Sequence, residues 1–548
     1  MSRAQDRYDR WIDLGWMVFL VALAFALRAI YGSARTILAD HDSAGYIMGA
    51  RGIFRGEVFF SMFKPPGYPI LVGLWSMVVG DDVVGARIAS IVCGSLLCAV
   101  AYLLGKHLYG RPTGIAAGLL TAVSLIWIQK SSDEIDVSTY VLVILASTAL
   151  IIIRLGQDRP GIWAAAGLLF GLSYWVRQEG VFYLAFIPAA AFVDHWVQTG
   201  KVFTRTYLIK MAAFIFAGLI PVLPYVWHIH QEKGIWTISP KTVWAALVYS
   251  TEIQENQLAT EQAVYGLTPD KKNIRLRGSV QSVSMISNFA GNLAFKVKET
   301  VKNWYKTYDL LLLVYPLILW PFVGIGLYQL KWSLTDRRPE IYLLAFLVPW
   351  ICIYPLYEVA SEKLAQVVPV LNMWAGLGIV SVATRIGRQG ADRPFAFFRK
   401  PAMVTGGIVL LVTLLQMPGF LEPLRDPGYF DRYEDDPVNK VVADWIRKNL
   451  PADTVLMERK TFIGMYADRK QVELPFADYA DMITYARYQG VNVIVMDEKF
   501  KAIRPQLAFL FDAAKPPDDL VPIYETQNKS GKKIILYKLL PKPMAAEG

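Results

Sequence analysis

Asp40-His41-Asp42-Ser43-Ala44-Gly45-Tyr46 stands just beyond an apolar run at 13–31, and Phe63-Lys64-Pro65-Pro66-Gly67-Tyr68-Pro69 follows in the same polar segment. Acidic groups next to a membrane span are costly unless they are used. A lysine held by two prolines has a fixed backbone from which to meet an anion. Together the two stretches point to a base and a phosphate clamp at the outer face of a membrane.

The rest of the chain supports a membrane setting. Of its 548 residues, 54% are hydrophobic and 19% charged, too apolar for a soluble protein of this size. The net charge of +10 does not indicate nucleic-acid binding, because the basic residues sit mostly in short loops between apolar runs. Cys93, Cys98 and Cys352 all lie inside apolar runs, so no disulfide framework is expected. The N-terminal run follows Arg3, Arg7 and Arg10; it is long and has no small-x-small cleavage site after it, so it reads as a retained span.

Eleven spans are expected, at about 13–31, 83–105, 112–130, 137–154, 160–176, 179–195, 206–229, 308–329, 340–357, 363–384 and 402–420. The stretch 67–80 is short and opens on Pro-Pro-Gly, so a re-entrant or interfacial helix is expected there. Lys106, Arg111, Arg154, Arg159, Lys201, Arg205 and Arg385 through Lys400 fall on one side of this arrangement. That bias puts the N-terminus in the cytoplasm and the C-terminus outside.

Two regions are not membrane. The outer loop 230–307 is long and polar, and loops of that length are usually functional. The tail 430–548 has helices at 438–450 and 478–489 and strands at 454–457, 491–496 and 533–537, which suggests a small α/β domain. The chain is thus expected to divide into a membrane domain, 1–425, with outer loops 32–82 and 230–307, and an extracytoplasmic domain, 430–548.

Within the first loop, Asp42 is expected to cap a surface helix over 42–54 with Tyr46, Gly49, Ala50 and Ile53 on one face. Asp42 is read as a carboxylate that takes a proton from an attacking hydroxyl, or else as a cap at a lipid headgroup. Asp133, Glu134 and Asp136 follow the third span on the same side; they either hold a substrate or form a solvated turn. Lys64, Arg177 and Lys363 are positive charges on the outer side, against the insertion bias. A lipid-linked phosphate would account for them, and so would snorkelling to headgroups. His228 and His230 end the seventh span on that side. With five histidines in the chain and no ligand spacing, no metal and no other cofactor is expected.

These residues resemble a known family. Asp42 to Tyr46, Phe63 to Pro69, Ala86-Arg87, Tyr109-Gly110-Arg111, Arg177-Gln178-Glu179-Gly180 and the Lys363 turn before Val367-Val368-Pro369 resemble the type C (GT-C fold) glycosyltransferases of family 39. These include the protein O-mannosyltransferases and the lipid A aminoarabinose transferase. The likeness covers most of residues 10–385. It implies that Asp42 is the catalytic carboxylate, because its spacing to Tyr46 matches the family and that of Asp40 does not. Asp136 resembles the second acidic position, with Glu134 as the alternative. The lipid-phosphate contacts map onto Lys64 and Arg177; Lys363 is followed by Leu364 where relatives often have tyrosine, and His228 is a further candidate. Asp40 and Tyr46 are expected at the substrate. Family members commonly pair two acids in the first loop, whereas here Ser43 follows Asp42.

The expected activity is transfer of a sugar from a polyprenyl-phosphate donor to an extracytoplasmic lipid, glycan or protein, with inversion, in the inner membrane of a prokaryote. The outer loop and the tail would help choose the acceptor. The competing class is a transporter or flippase of lipid-linked sugars; it would carry charges midway through its spans, and here they cluster at the ends.

Overall fold

The computed structural model describes residues 3–59, 64–157, 159–234, 236–239, 257–274, 293–330, 338–353, 361–389, 400–426 and 428–541. The chain divides into two compact units that differ from a single cut after residue 425. One comprises residues 1–35, 49–228 and 297–430; the other comprises 36–48, 229–296 and 431–548. The first loop and the loop near 230–307 therefore contribute chain to the unit that contains the tail, a grouping not expected from sequence.

The larger unit is helical. Its first ten helices are α1 (Arg3–Ser33), α2 (His41–Phe54, which begins in the other unit), α3 (Gly67–Val79), α4 (Asp82–Tyr109), α5 (Arg111–Val123), α6 (Leu125–Ser132), α7 (Val137–Ile153), α8 (Pro160–Val176), α9 (Tyr183–Thr199) and α10 (Arg205–Lys233). Among the described residues six helices are long and apolar enough to cross a membrane. Two bent pairs, one of them α5 with α6 at 55°, could each form a further span. Helices α3, α7 and α8 are apolar but shorter. The expected span 340–357 is described only in part, as the helix Arg338–Val348 and the turn Pro349–Ile353. On α1, α10 and the helix Pro401–Arg425, large apolar side chains such as Phe19, Phe216 and Leu414 are exposed. A helix with an apolar outer surface is suited to lipid.

Local chemistry explains where these helices begin and end. Asp81 caps α4, its Oδ1 accepting from the Val84 N–H at 2.8 Å. Gly110 ends α4 at φ +92°, and Pro112 opens α5. The α5–α6 break exposes carbonyls inside the unit, and the fully buried Arg28 of α1 meets them. Its Nη1 donates to Ala24 O at 3.0 Å and Ala122 O at 3.2 Å, and its Nη2 to Thr121 O at 3.4 Å. The negative end of α5 thus offsets part of the cost of a buried cation.

The smaller unit contains a five-stranded sheet in the order β2-β1-β3-β5-β4: β1 (Val455–Glu458), β2 (Lys470–Glu473), β3 (Val493–Asp497), β4 (Leu520–Gln527) and β5 (Lys533–Leu539). Strand β1 runs parallel to β2 and β3, and β5 runs antiparallel to β3 and β4. Alternation along the strands makes two cores. Val493, Val495, Ile534 and Leu536 face the helix Pro437–Asn449. Ile494, Met496, Ile535 and Tyr537 face the helix Tyr479–Tyr488, together with Leu267 and Ile274. Glu261 is gripped by Arg459 at 2.7 Å and Arg504 at 2.6 Å. Residues 257–274 are thus part of this unit's core. Expected loop residues Glu252, Glu255, Arg275 and Arg277 lie outside the described residues.

Candidate active site

In the larger unit, three separate chain segments bring charge together. Asp136 immediately precedes α7, Arg177 immediately follows α8, Glu179 lies in the turn Gln178–Phe182, and Glu362 and Lys363 belong to the short helix Ser361–Ala365. Arg177 Nη1 is 3.0 Å from Asp136 Oδ1. Arg177 Nη2 lies 3.6 Å from Glu179 Oε1 and 4.0 Å from Glu362 Oε1. Lys363 Nζ approaches the same two oxygens, at 3.4 and 4.0 Å. Two cations therefore share two carboxylate oxygens, and both are nearly dry, at 6% and 7% exposure. The Arg177 guanidinium also lies 6.0 Å from the centre of the Tyr140 ring, one turn beyond Asp136. Gln178 donates to the buried Tyr225 hydroxyl at 3.1 Å, which ties the turn to α10.

The Lys64 turn meets the same region. A Cβ on Gly67 would stand 2.7 Å from Trp175 O and 3.1 Å from Val176 Cγ2, so only glycine allows this approach of α3 to the end of α8. Lys64 is half-buried just ahead of it; Phe63 lies outside the described residues. His228 is half-buried on α10, one turn beyond Tyr225.

Glu134 has a different environment from Asp136. It is fully buried between Arg35 at 2.7 Å and Arg87 at 2.6 Å. Arg35 also pairs with Asp133, and Arg87 Nη1 donates to Gly32 O and Arg35 O. Burial works to raise the Glu134 pKa, but Arg35 and Arg87 overcome it and hold the group below its ordinary value. A carboxylate held by two guanidiniums is a weak base and a strong brace.

The first-loop acids belong to the smaller unit. Helix α2 is capped by Asp40, not by Asp42: Asp40 Oδ1 accepts from the Ser43 N–H at 2.9 Å and the Ser43 hydroxyl at 3.1 Å. A cap must precede the first turn so that its oxygen reaches the N–H three residues on, and Asp40 has that position. Asp42 falls within the first turn with its side chain 55% exposed, 3.8 Å from His41 Nε2. Tyr46, Ile47 and Ala50 form the buried face.

Sequence reasoning missed Glu179 and Glu362, although each lies within two residues of a cation it did find. Among the described residues no group of three or more His, Cys, Asp or Glu side chains is placed to hold a metal ion.

Residues 63–225 match the family model described as dolichyl-phosphate-mannose-protein mannosyltransferase. No curated protein matches the chain. Solved structures do. ArnT from Cupriavidus metallidurans, bound to undecaprenyl phosphate, is 14% identical, with a TM-score of 0.57 over 95% of this chain and 98% of that one. The archaeal oligosaccharyltransferase AglB from Archaeoglobus fulgidus, in complex with an inhibitory peptide and a dolichol-phosphate, is 14% identical, with a TM-score of 0.58 over 98% of this chain and 75% of that one. The chain has the GT-C fold of these polytopic membrane enzymes and resembles the type C glycosyltransferases. The comparisons give no support to a transporter.

Proposed function

We propose that the chain is a membrane glycosyltransferase that moves a sugar from a polyprenyl-phosphate donor to an extracytoplasmic lipid, glycan or protein acceptor. One observation carries this reading: Arg177 and Lys363 are buried against the same two carboxylate oxygens, in a fold shared with proteins solved with lipid phosphates. Their carboxylates hold both cations in place before a ligand arrives, and such preorganisation is what electrostatic catalysis needs.

The donor phosphate binds to Arg177 and Lys363, with Lys64 and His228 as further ligands. Asp136 orients the Arg177 fork. Asp42 removes the proton from the acceptor hydroxyl or amine as its heteroatom attacks the anomeric carbon from the face opposite the phosphate. The sugar–phosphate C–O bond breaks, its electron pair leaves on polyprenyl phosphate, and the sugar is inverted. The departing phosphate gains negative charge, which Arg177 and Lys363 stabilise, so no general acid is required. Tyr46 supports the helix that bears Asp42. Asp40 serves this site through its cap, and Glu134 as a brace. The enzyme works in the inner membrane of a prokaryote, with its N-terminus cytoplasmic.

The test is turnover in detergent with a panel of polyprenyl-phosphate sugars, comparing wild type with Asp42→Asn and Arg177→Ala. Release of polyprenyl phosphate by wild type, lost in both variants, supports the reading. Undiminished release by Asp42→Asn refutes Asp42 as base, and absence of release with every donor refutes the activity.

A further inference from the structure

Three stretches of chain build the smaller unit, and two of them meet at the start of α2. Glu434 and Asp435, at the entry to the tail, take hold of residues 38–41. Asp435 Oδ2 accepts from the Leu38 N–H at 2.9 Å, and Glu434 Oε2 accepts from the His41 N–H at 3.1 Å. The same Glu434 oxygen is 2.7 Å from His41 Nδ1. Lys440 adds a bond to the Thr36 carbonyl.

Both acids are themselves fixed by the tail. Asp435 is 2% exposed; its Oδ2 also accepts from the Tyr466 hydroxyl at 2.6 Å and its Oδ1 from Asn439 Nδ2 at 2.8 Å. Glu434 Oε1 pairs with Lys460 at 2.7 Å, and its backbone carbonyl accepts from Lys499 Nζ at 2.6 Å. Burial works to raise the Glu434 pKa; the contacts with His41 and Lys460 overcome it and hold the carboxylate well below its ordinary value. Glu434 therefore remains an ionised acceptor throughout the neutral range.

We infer that Glu434 and Asp435 are positioning residues that hold the first turn of α2, and with it Asp42, so that the tail fixes the stretch of chain that carries the base. The inference rests on the reading of Asp42 as base. Its physical ground is the local register. The bonded N–H groups belong to Leu38 and His41, and Asp42 is the next residue. The Asp42 side chain is more than half exposed, and the backbone that carries it continues directly from His41. That backbone is anchored by the Asp40–Ser43 cap on one side and by the two tail acids on the other. An error of about 1 Å in placing a reacting group can cost about 100-fold in rate.

The test uses the full chain and compares Glu434→Ala, His41→Ala and Asp42→Asn. Donor KM, kcat and amide hydrogen exchange over residues 36–48 are measured for each. Glu434→Ala is expected to lower kcat by about 10- to 100-fold with donor KM within about twofold, and to speed exchange at Leu38 and His41. His41→Ala changes an exposed ring without disturbing the tail's interior and is expected to lower kcat in the same sense. Glu434→Gln, which keeps an acceptor for the His41 N–H, is expected to recover part of the loss. A folded Glu434→Ala with wild-type kcat, while Asp42→Asn is inactive, overturns the positioning role alone. Full turnover by Asp42→Asn overturns the base reading, and the inference falls with it. Should Glu434→Ala not fold, amide exchange in the wild-type protein decides: Leu38 and His41 amides that exchange without protection overturn the inference by themselves.

Discussion

The hydrogen bond from Arg177 Nη1 to Asp136 Oδ1, 3.0 Å long, joins the residue that ends α8 to the residue that precedes α7. It fixes one edge of the guanidinium while the other edge stands 3.6 to 4.0 Å from Glu179 and Glu362. A fork held on one side by a firm bond and on the other by looser ion pairs can exchange the looser partners for a phosphate at small cost. Phosphate offers the bidentate geometry that a guanidinium matches best.

The Arg177 variants should therefore fall in a graded series. Removing one preorganised donor to developing charge typically costs 100- to 1000-fold, so Arg177→Ala should lower kcat/KM by about that factor. Arg177→Lys keeps the charge and loses the fork, and should lie between Ala and wild type. Asp136→Asn keeps an acceptor but removes the charge that orients the fork, and should mainly raise donor KM. Steady-state kinetics on purified protein checks the order, and a wild-type value for Arg177→Ala would be incompatible with phosphate binding there.

Glu134 should behave as a brace. Glu134→Gln leaves Arg35 and Arg87 without their shared counter-charge, and breaking a buried pair from one side costs about 3–5 kcal/mol. The expected result is a clear fall in thermal stability, with the turnover of the protein that remains folded changed only severalfold. If the variant were instead stable and inactive, Glu134 would belong with the reacting groups.

Gly67→Ala tests the join between the Lys64 turn and α8. The added methyl would press on backbone at 2.7 Å, and a carbonyl cannot move aside as a flexible side chain can. Overpacking of this kind costs about 1–3 kcal/mol. A lower melting temperature and a raised donor KM are expected together, because the strain falls between Lys64 and Arg177. An unchanged KM would separate the two turns functionally.

What was legible in the sequence follows from the range of the forces involved. The spans at α1, α4 and α10 are written as continuous apolar runs, and their ends as Asp81, Gly110 and flanking arginines. In the tail, β1, β3 and β5 are apolar runs and were readable; β2, Lys470-Gln471-Val472-Glu473, carries one apolar residue and lies at the sheet edge, so it had no such signal. Asp136, Arg177 and Lys363 were identifiable as charges where charge is costly. Arg177 and Lys363 were grouped as outer-side cations for one phosphate, but the carboxylates that join them were not readable, because Lys363 meets Glu179 across 184 residues of chain. The same limit hid the Asp435 contact with Leu38 and the place of Leu267 and Ile274 in the tail's core. The choice of Asp42 over Asp40 as cap failed for a local reason: the helix begins at His41, one residue earlier than read, and Ser43, three positions beyond Asp40, supplies the capped N–H.

The last prediction concerns pH. Glu458, at the end of β1, is buried so deeply that its pKa is pushed up to about 8, although the Gly464 and Ile463 N–H groups donate to it. Asp497, at the end of β3, is likewise raised by burial, to about 6. Between its ordinary value of 4.5 and about 8, Glu458 binds a proton when folded and has lost it when unfolded. Folding stability must then fall as pH rises through that window, by up to about 1.4 kcal/mol per pH unit from this group. Asp497 adds to the slope between its ordinary 3.8 and about 6. Well below pH 4 both groups are protonated in both states, and above pH 9 both are ionised in both, so the slope vanishes at each end. Glu458→Gln carries no titrating proton, so its advantage over wild type should grow from pH 5 to pH 8 and then level off. Thermal unfolding of the full-length pair across pH 5–9 measures that difference, and a constant offset would mean that Glu458 is ionised in the folded protein throughout.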